Sequence, residues 1–353
     1  LKFTSNDSIV RAYFDNEDSH VDFLAHCNLK EFTKALERCG KTAQNQMKEK
    51  NLDIDQLQAA LPQFSLDLRV GPNGLIPRYL HKYNVDFRDI NLKVRNDSTI
   101  YLDGYVRQLS VGNRAIDTLT IHANETANDR LAFDVHMGNR RGTWDDFSKV
   151  DIRGGAKGST VDFLVEQRNV KGEIGYRLGA NATLADNVIK ARFFPSKPVI
   201  AYRDWMINDS NYVNFNYTTH MLDADLKLMS DSSSLKLLTQ PTQDPNKENI
   251  LLNIDNLKLE EWFGGNPYIP AIGGTLNADM NMLFDGRNFD GNGVVAIDNF
   301  SYDHQNEGNI VMNTNLSLDP ATISTKLNAT VDLDGSKVAL AYGSLNDSTS
   351  SKP

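Results

Sequence analysis

Residues 276–284 read Leu-Asn-Ala-Asp-Met-Asn-Met-Leu-Phe, with an apolar side chain at every second position. Successive side chains of a β-strand point to opposite faces of a sheet, so this alternation predicts a strand with one apolar face and one solvated face. The residues expected to share the apolar face are Leu276, Ala278, Met280, Met282 and Phe284. This stretch therefore predicts a half-buried strand.

The same alternation extends along the chain in both directions. It recurs at residues 161–166, 222–229 and 323–333. Pairs such as Asp290-Gly291 and Asn292-Gly293 are typical of the tight turns that join antiparallel neighbours. A β-sandwich normally closes after about seven to nine strands, whereas this alternation continues from Phe64 to residue 345 without a linker rich in Pro, Gly or Ser. We therefore predict a mainly β fold with a long, twisted and curled antiparallel sheet that forms an open trough.

One segment near the N-terminus has helical periodicity instead. Apolar residues recur there at three- or four-residue intervals, which is typical of an amphipathic helix. These residues are Leu29, Phe32, Leu36, Cys39, Ala43 and Met47. Asp53 followed by Gln56 predicts a capping box at the start of a second helix, and Pro77 suits the first turn of a third.

These patterns divide the chain into four segments. We expect a β segment at residues 1–28, an amphipathic helical insertion at 29–83, a continuous elongated β-sheet groove at 84–345 and a frayed polar tail at 346–353. The chain begins Leu-Lys-Phe, with neither an initiator Met nor a signal-peptide pattern. We therefore expect a fragment from the middle of a longer protein.

The composition argues against two function classes. Lys plus Arg number 37 and Asp plus Glu number 46, and the formal net charge of −9 disfavours binding to a nucleic-acid backbone. No stretch approaches the roughly 18 consecutive apolar residues that a membrane-spanning helix needs. We therefore expect neither a nucleic-acid partner nor a transmembrane helix in this chain.

A search for catalytic and metal-binding motifs yields no candidate. The 7 histidines show no HxH or HExxH spacing that would bring two imidazoles to one metal ion. Cys27 and Cys39 also lack metal-ligand spacing, and they are either two small buried residues or a disulfide pair. Residues 291–296, Gly-Asn-Gly-Val-Val-Ala, have the spacing of a dinucleotide-binding loop, but they lead into strand alternation, which favours a hairpin turn. We therefore predict no catalytic residue, no metal site, no cofactor and no enzymatic activity.

Five stretches of the chain carry a family resemblance. They are Leu-Pro-Gln-Phe-Ser-Leu-Asp-Leu-Arg-Val-Gly at 61–71, Trp-Met-Ile-Asn-Asp-Ser-Asn-Tyr-Val at 205–213, Glu-Trp-Phe at 261–263, Ile-Pro-Ala-Ile-Gly-Gly-Thr-Leu-Asn-Ala-Asp-Met at 269–280 and Phe-Asp-Gly-Asn-Gly-Val-Val-Ala-Ile-Asp-Asn-Phe-Ser-Tyr at 289–302. They resemble the TamB family of AsmA-like proteins, and in particular its large members in Bacteroides-type bacteria. The resemblance runs through most of the chain.

The resemblance implies a bridge-type protein in the periplasm of a Gram-negative bacterium. Members of this family have an inner-membrane anchor, expected here outside the given chain, and a long β-sheet trough with a lipid-lined interior. They carry phospholipid between the inner and outer membranes, and they contribute to outer-membrane biogenesis and protein assembly beside a BamA- or TamA-type barrel. The implied partners are therefore phospholipid acyl chains, that barrel and the inner membrane.

The apolar pattern agrees with such a trough, because the sequence contains too little helix to cover the apolar face of so long a sheet. Either the sheet curls on itself or acyl chains fill it, and each methylene moved out of water gains about 0.8 kcal/mol. The predicted groove lining is Val161, Phe163, Val165, Leu222, Leu226, Leu252, Ile254, Leu276, Met280, Met282, Phe284, Ile297, Leu327, Val331 and Leu333. For each residue an ordinary dry core is the alternative, since strand periodicity does not tell what buries the side chain. That alternative corresponds to an elongated β-solenoid binding or scaffold module, adhesin-like, without lipid transport.

Overall fold

A computed structural model describes residues 2–16, 18–112, 114–126, 128–139, 149–244, 247–263, 271–285, 289–319, 324–333 and 336–342. At Leu75, Arg114 and Phe289, and from residue 315 onward, the description covers the backbone alone. The tail predicted at 346–353 lies outside the described residues.

The fold is mainly β, with 64% of residues in strands and 13% in helices, and the strands form one long antiparallel sheet. This result confirms the fold class that the alternating sequence predicts. The chain divides into two compact units, Leu1–Asn181 and Ala182–Pro353, called unit 1 and unit 2 below. Within each unit, strands that follow one another in sequence mostly pair with each other, because short turns connect them.

Unit 1 contains three helices, α1 (Leu29–Glu49), α2 (Ile54–Ala60) and α3 (Leu75–His81). Its strands are β1 (Lys2–Ser5), β2 (Val10–Asn16), β3 (Ser19–Ala25), β4 (Phe64–Val70), β5 (Val85–Asp86), β6 (Asp89–Asn96), β7 (Ile100–Val111), β8 (Arg114–Glu125), β9 (Leu131–Gly138), β10 (Lys149–Lys157) and β11 (Thr160–Arg168), followed by β12 (Ile174–Ala185). Antiparallel ladders join β1, β2, β3, β4, β6, β7, β8, β9, β10 and β11 in that order, and β5 pairs with β7.

Unit 2 contains the short helix α4 (Leu259–Phe263). Its strands are β13 (Val188–Ile200), β14 (Arg203–Asp204), β15 (Met206–Ile207), β16 (Tyr212–Asn216), β17 (Leu222–Met229), β18 (Ser234–Gln240), β19 (Glu248–Lys258), β20 (Ile272–Phe284), β21 (Phe289–Tyr302), β22 (Gln305–Asp319), β23 (Ser324–Leu333) and β24 (Ser336–Tyr342). Ladders join β13 to β16 and then each strand to the next as far as β24. The short strands β14 and β15 pair with β13 and β17.

Cross-strand register places the apolar residues of unit 1 on one face of its sheet. Directly paired residues of an antiparallel ladder point to the same face. A continuous row of paired residues therefore runs from β2 to β11, and every member is apolar or glycine. The row is Ala12, Phe23, Leu66, Val94, Leu102, Ala123, Phe133, Gly154 and Phe163. We call the face that carries this row the apolar face and the opposite one the polar face.

A corresponding row crosses unit 2 from β17 to β22. It consists of Leu226, Leu237, Leu252, Met280, Gly293 and Thr314, and it defines the apolar face of this unit. A Cβ atom at Gly293 would lie 2.5 Å from Met280 Sδ and 2.3 Å from the Asp279 carbonyl oxygen, so glycine leaves the room that the methionine occupies. Gly154 in unit 1 has the same role, because a Cβ there would lie 2.8 Å from the Phe133 ring.

The turns predicted at Asp290-Gly291 and Asn292-Gly293 are wrong, because both pairs lie inside strand β21. Gly291 and Gly293 pair with Met282 and Met280 across the ladder with β20. Glycine at these positions serves the close packing of the methionines and not a change of chain direction. Residues 291–296 therefore form part of a strand, and the hairpin turn favoured there is wrong as well.

The helical insertion contains the three expected helices, and it also contains strand β4, which pairs with β3 and β6. Pro77 lies in the first turn of α3, as predicted. Asp53 caps α2, because its side chain accepts a 2.8 Å hydrogen bond from the Gln56 backbone N–H. The return bond of a capping box does not form. Instead, the Asp53 backbone N–H donates to Gln46 Oε1 at 3.1 Å.

The packed side of helix α1 is rotated relative to the predicted apolar stripe, so that only part of the stripe faces inward. Leu29, Leu36 and Met47 of the predicted stripe are 46%, 51% and 78% exposed, whereas Gln46 is buried. The Gln46 amide explains this rotation, because it accepts from the Asp53 N–H and donates to the Asp53 carbonyl oxygen at 2.9 Å. A buried amide satisfied in this way helps to fix the inward side of the helix, so that Phe32, Cys39 and Ala43 of the predicted stripe are half-buried while Leu29, Leu36 and Met47 stay exposed.

Candidate functional site

The apolar face is the candidate functional surface of the protein. In unit 1, the predicted lining residues Val161, Phe163 and Val165 lie on this face in β11, where they pair with β10. Val161 and Phe163 are 41% and 37% exposed. The apolar groups of this strand are therefore in contact with solvent.

The ladders of unit 2 bring a second group of predicted lining residues to one face. These are Leu222, Leu226, Leu252, Ile254, Leu276, Met280, Met282, Phe284 and Ile297. Leu327, Val331 and Leu333 lie in β23 at positions paired with β22, and their side chains are outside the described residues.

None of the predicted lining residues with a described side chain is buried; each is half-buried or exposed. Side chains of a packed protein interior are covered on all sides by other atoms. The same face of unit 2 also carries fully buried residues inside its strands, namely Ala224, Ile250 and Ala278. The predicted lining residues are therefore partly accessible, and buried side chains of the same face lie between them.

The apolar face extends over more of unit 1 than the predicted lining residues indicate. Register adds residues of every strand from β2 to β10, including Leu66, Val94, Ile121, Phe133 and Ile152. The alternation that signals them is present in the sequence at 64–70 and 131–137. Sequence alone does not reveal that these strands share one face, because that depends on which strands pair and in which register.

The helical insertion covers one end of the apolar face in unit 1. The Phe32 ring of α1 lies 5.1 Å from the Phe23 ring and 6.4 Å from the Phe64 ring, both of which belong to the apolar face. At the other flank, Leu52 and Gly158 exchange backbone hydrogen bonds of 2.7 and 2.9 Å at the β10–β11 turn. The insertion therefore crosses from the β3–β4 pair to the β10–β11 pair.

An aromatic cluster closes one end of the apolar face in unit 2. Trp205 is only 2% exposed, and its Nε1–H donates to the Ile200 carbonyl oxygen at 3.2 Å. The Trp262 ring of α4 packs against it edge to face, with ring centroids 6.0 Å apart. Arg203 and Glu261 form an ion pair beside this cluster. This end is therefore a conventional packed core.

Ion pairs satisfy the charges of the polar face in unit 1. Arg11 Nη2 lies 2.9 Å from Asp22 Oδ2 on the neighbouring strand. The Glu166 carboxylate lies 2.6 Å from Arg168 Nη2 and 2.8 Å from Arg177 Nε. Burial raises the pKa of Glu166, but hydrogen bonds and charge from the two arginines outweigh it, so the pKa lies below its ordinary value. Such pairs are typical of a sheet face that meets water.

Two polar side chains of the apolar face lie near strand ends. Glu248 begins β19 at a position paired with Phe284, and its carboxylate accepts a hydrogen bond from the Leu222 N–H. Burial raises the pKa of Glu248, and the nearby Asp223 adds to this effect against the opposing hydrogen bond. Gln167, near the end of β11, is 2% exposed, and its amide has no hydrogen-bond partner among the described residues.

Three carboxylates of unit 1 come close together. Asp55, Glu125 and Asp129 bring carboxylate oxygens within 4.8 Å of one another. Two of these carboxylates already have partners, since Glu125 accepts from the Ile100 N–H at 3.2 Å and Asp129 lies 3.4 Å from Lys157 Nζ. Cys27 and Cys39 are free thiols, so the disulfide alternative is not formed.

No helix in the described ranges combines the length and the apolar character needed to cross a membrane. No protein-family model matches the chain. Comparison with curated proteins gives no match. Comparison with solved structures gives no match either. Function therefore has to be inferred from the geometry of the sheet itself.

Proposed function

We propose that this chain carries phospholipid along the apolar face of its sheet, as part of a bridge between the inner and outer membranes in the periplasm of a Gram-negative bacterium. The observation that supports this proposal best is the accessibility of the predicted lining. Its described side chains share one face in each unit, and none of them is buried. An apolar ligand such as an acyl chain would cover such a face.

Acyl chains fit the chemistry of this surface. Each methylene transferred from water gains about 0.8 kcal/mol, so ten methylenes of one chain would gain roughly 8 kcal/mol before any entropic cost. The rows of paired residues offer similar apolar contacts at each strand, from Phe23 to Phe163 in unit 1 and from Leu226 to Met280 in unit 2. Similar contacts at successive positions give similar binding free energies, so a lipid could move along the sheet without being held at one position.

The wider role follows from the resemblance to the TamB family. We propose that the bridge meets the inner membrane through an anchor, works beside a BamA- or TamA-type outer-membrane barrel, and contributes to outer-membrane biogenesis and outer-membrane protein assembly. This role requires no chemical reaction, and therefore no catalytic residue, cofactor or metal ion.

Native mass spectrometry with lipid extraction tests the proposal. The chain purified from bacterial envelopes should retain phospholipid, and Met280→Asp combined with Phe284→Asp should lose it, because two carboxylates are placed on the apolar face. The matched control is Leu283→Asp combined with Val294→Asp. Leu283 lies in the same strand, β20, and Val294 lies in the neighbouring strand β21; both point to the polar face, and they are 38% and 43% exposed. Circular dichroism must show the same strand content in all proteins.

Two results would overturn the proposal. Equal loss of lipid in the control would mean that lipid binding does not depend on the apolar face in particular. A wild-type chain that carries no lipid and stays compact without it would favour the dry binding or scaffold module instead.

A further inference from the structure

The outer side of helix α1 combines an exposed apolar stripe with a band of positive charge. Leu29, Leu36 and Met47 are 46%, 51% and 78% exposed. At about 100° of rotation per residue, these three side chains lie within about 20° of one line along the helix. Gly40 lies on the same line, and a Cβ built there would have no atom within 4 Å. The stripe is therefore uncovered along the length of α1.

Lysines flank this stripe on one side. Lys30, Lys34, Lys41 and Lys48 are all exposed, and by the same rotation they lie about 100–140° around the helix from the stripe. No carboxylate in the described part of the chain forms an ion pair with any of the four ammonium groups. Helix α1 as a whole has five basic and three acidic residues, in a chain with a net charge of −9. The helix is thus a local cationic surface on an acidic protein.

The inner side of the same helix is fixed to the sheet. Phe32 packs on Phe23 and Phe64 of the apolar face, and Gln46 binds the turn that leads into α2. Phe32 lies about 40–60° around the helix from the stripe, so the stripe borders the inner side, and the lysine band faces away from the sheet. Glu37 lies between the stripe and the lysine band, and Glu31 and Glu49 border the band on its other side, about 60° around the helix from Lys34.

We propose that the outer side of α1 docks on the surface of an anionic phospholipid bilayer. The apolar stripe would enter the boundary between headgroups and acyl chains, and the lysines would contact anionic headgroups. An exposed apolar stripe beside a basic band is the pattern of helices that lie in a membrane interface. Unpaired lysines suit a diffuse negative surface, since each ammonium is a flexible point charge that needs no fixed acidic partner.

This inference goes beyond lipid carriage, because it assigns a membrane contact to a surface that is separate from the predicted groove lining. Since α1 also covers one end of the apolar face, docking would hold that end of the sheet close to the bilayer. Lipid would then have a short path between the bilayer and the apolar face.

Vesicle flotation with the full chain tests the charge component. We expect binding to vesicles of equal parts phosphatidylcholine and phosphatidylglycerol, little binding to phosphatidylcholine alone, and weaker binding at high salt. Lys34→Glu combined with Lys41→Glu should weaken binding at least about 25-fold, because each lysine near an anionic surface contributes about fivefold. The matched control is Lys149→Glu combined with Lys171→Glu, two exposed lysines outside α1. This control carries the same change in net charge and should bind like the wild type.

A second pair of variants tests the apolar component. Leu36→Gln combined with Met47→Gln preserves helix propensity and removes the stripe, and it should reduce flotation strongly. Val111→Gln combined with Val170→Gln removes two valines that are 50% and 46% exposed outside α1, and it should have no effect.

The proposal is overturned if the chain does not float with anionic vesicles, or if the α1 variants float as well as their controls. Loss of a protein partner in the α1 variants, with no vesicle binding by the wild type, would assign the surface to a protein instead. Native mass spectrometry separates this inference from the proposed function. The lysine variant should retain bound phospholipid, whereas Met280→Asp combined with Phe284→Asp should lose phospholipid and still float.

Discussion

Phe32→Ala should release helix α1 from the apolar face of unit 1. Complete removal of a buried Phe side chain costs about 3–5 kcal/mol. Phe32 is half-buried, so about half of that range, roughly 2 kcal/mol, is expected. This figure includes the two ring contacts with Phe23 and Phe64, at 5.1 and 6.4 Å. Because every 1.4 kcal/mol corresponds to a factor of ten, local opening of α1 should become roughly thirtyfold more frequent.

Hydrogen exchange followed by mass spectrometry measures this opening directly. Peptides from α1 and α2 should exchange about thirtyfold faster in the Phe32→Ala protein, while peptides from β7 and β8 should keep their protection. Leu36→Ala is the matched control on the same helix. Leu36 is 51% exposed and outside the contact, so a change within about 0.5 kcal/mol is expected. Equal acceleration by both substitutions would refute the packing described for α1, and so would acceleration throughout the sheet.

Three further changes test other parts of the fold. Trp205→Ala should cost about 3–5 kcal/mol, because it removes a buried ring and its contact with Trp262; a urea-unfolding midpoint of unit 2 strands close to the wild-type value would contradict this. Gly293→Val should destabilise the sheet by about 1–3 kcal/mol, since its Cβ would lie 2.3 Å from the Asp279 carbonyl oxygen and 2.5 Å from Met280 Sδ; an unchanged thermal midpoint would contradict this close packing. Glu248 has a raised pKa in the fold, so its contribution to stability is present below its ordinary pKa of 4.5 and is lost as the pH rises through the raised value. Glu248→Gln should remove this loss, so that the variant gains stability over the wild type at neutral pH but not below 4.5; equal pH dependence of the two thermal midpoints would refute the assignment.

Alternation in the sequence is sufficient to predict the strands and the two faces. Residues 276–284 show why: the apolar set from Leu276 to Phe284 occupies one side of β20, as the period of two requires. The period is a local property of the chain, and it needs no knowledge of the neighbouring strands. The start of α2 is predicted by another local signal, the capping residue Asp53, whose side chain accepts a hydrogen bond from the Gln56 backbone N–H.

Features that depend on distant contacts could not be predicted in this way. Gly293 is compatible with a tight turn as far as the sequence is concerned, and only the position of Met280 on the next strand shows that it makes room for packing. The rotation of α1 is set by Gln46, whose polar side chain is a poor sign of burial until its bonds with Asp53 are known. The predicted stripe is therefore correct for Phe32, Cys39 and Ala43, and wrong for Leu29, Leu36 and Met47, which are exposed.

The distribution of polar groups on the apolar face has a consequence for how a lipid would behave there. Glu125 and Glu248 are charged groups of this face near strand ends, where each accepts a hydrogen bond from a backbone N–H. Asp117 of β8 alternates onto the same face, and the hydroxyl of Thr314 within the face donates to the Gly293 carbonyl oxygen. Most positions in the interior of the face are apolar and offer no charged partner to a headgroup. A phospholipid could gain from burying its acyl chains anywhere along a row, but it could satisfy its headgroup only at the edges, where the strands end and water begins. This arrangement favours movement across the strands with the headgroup at the rim over capture at one fixed position.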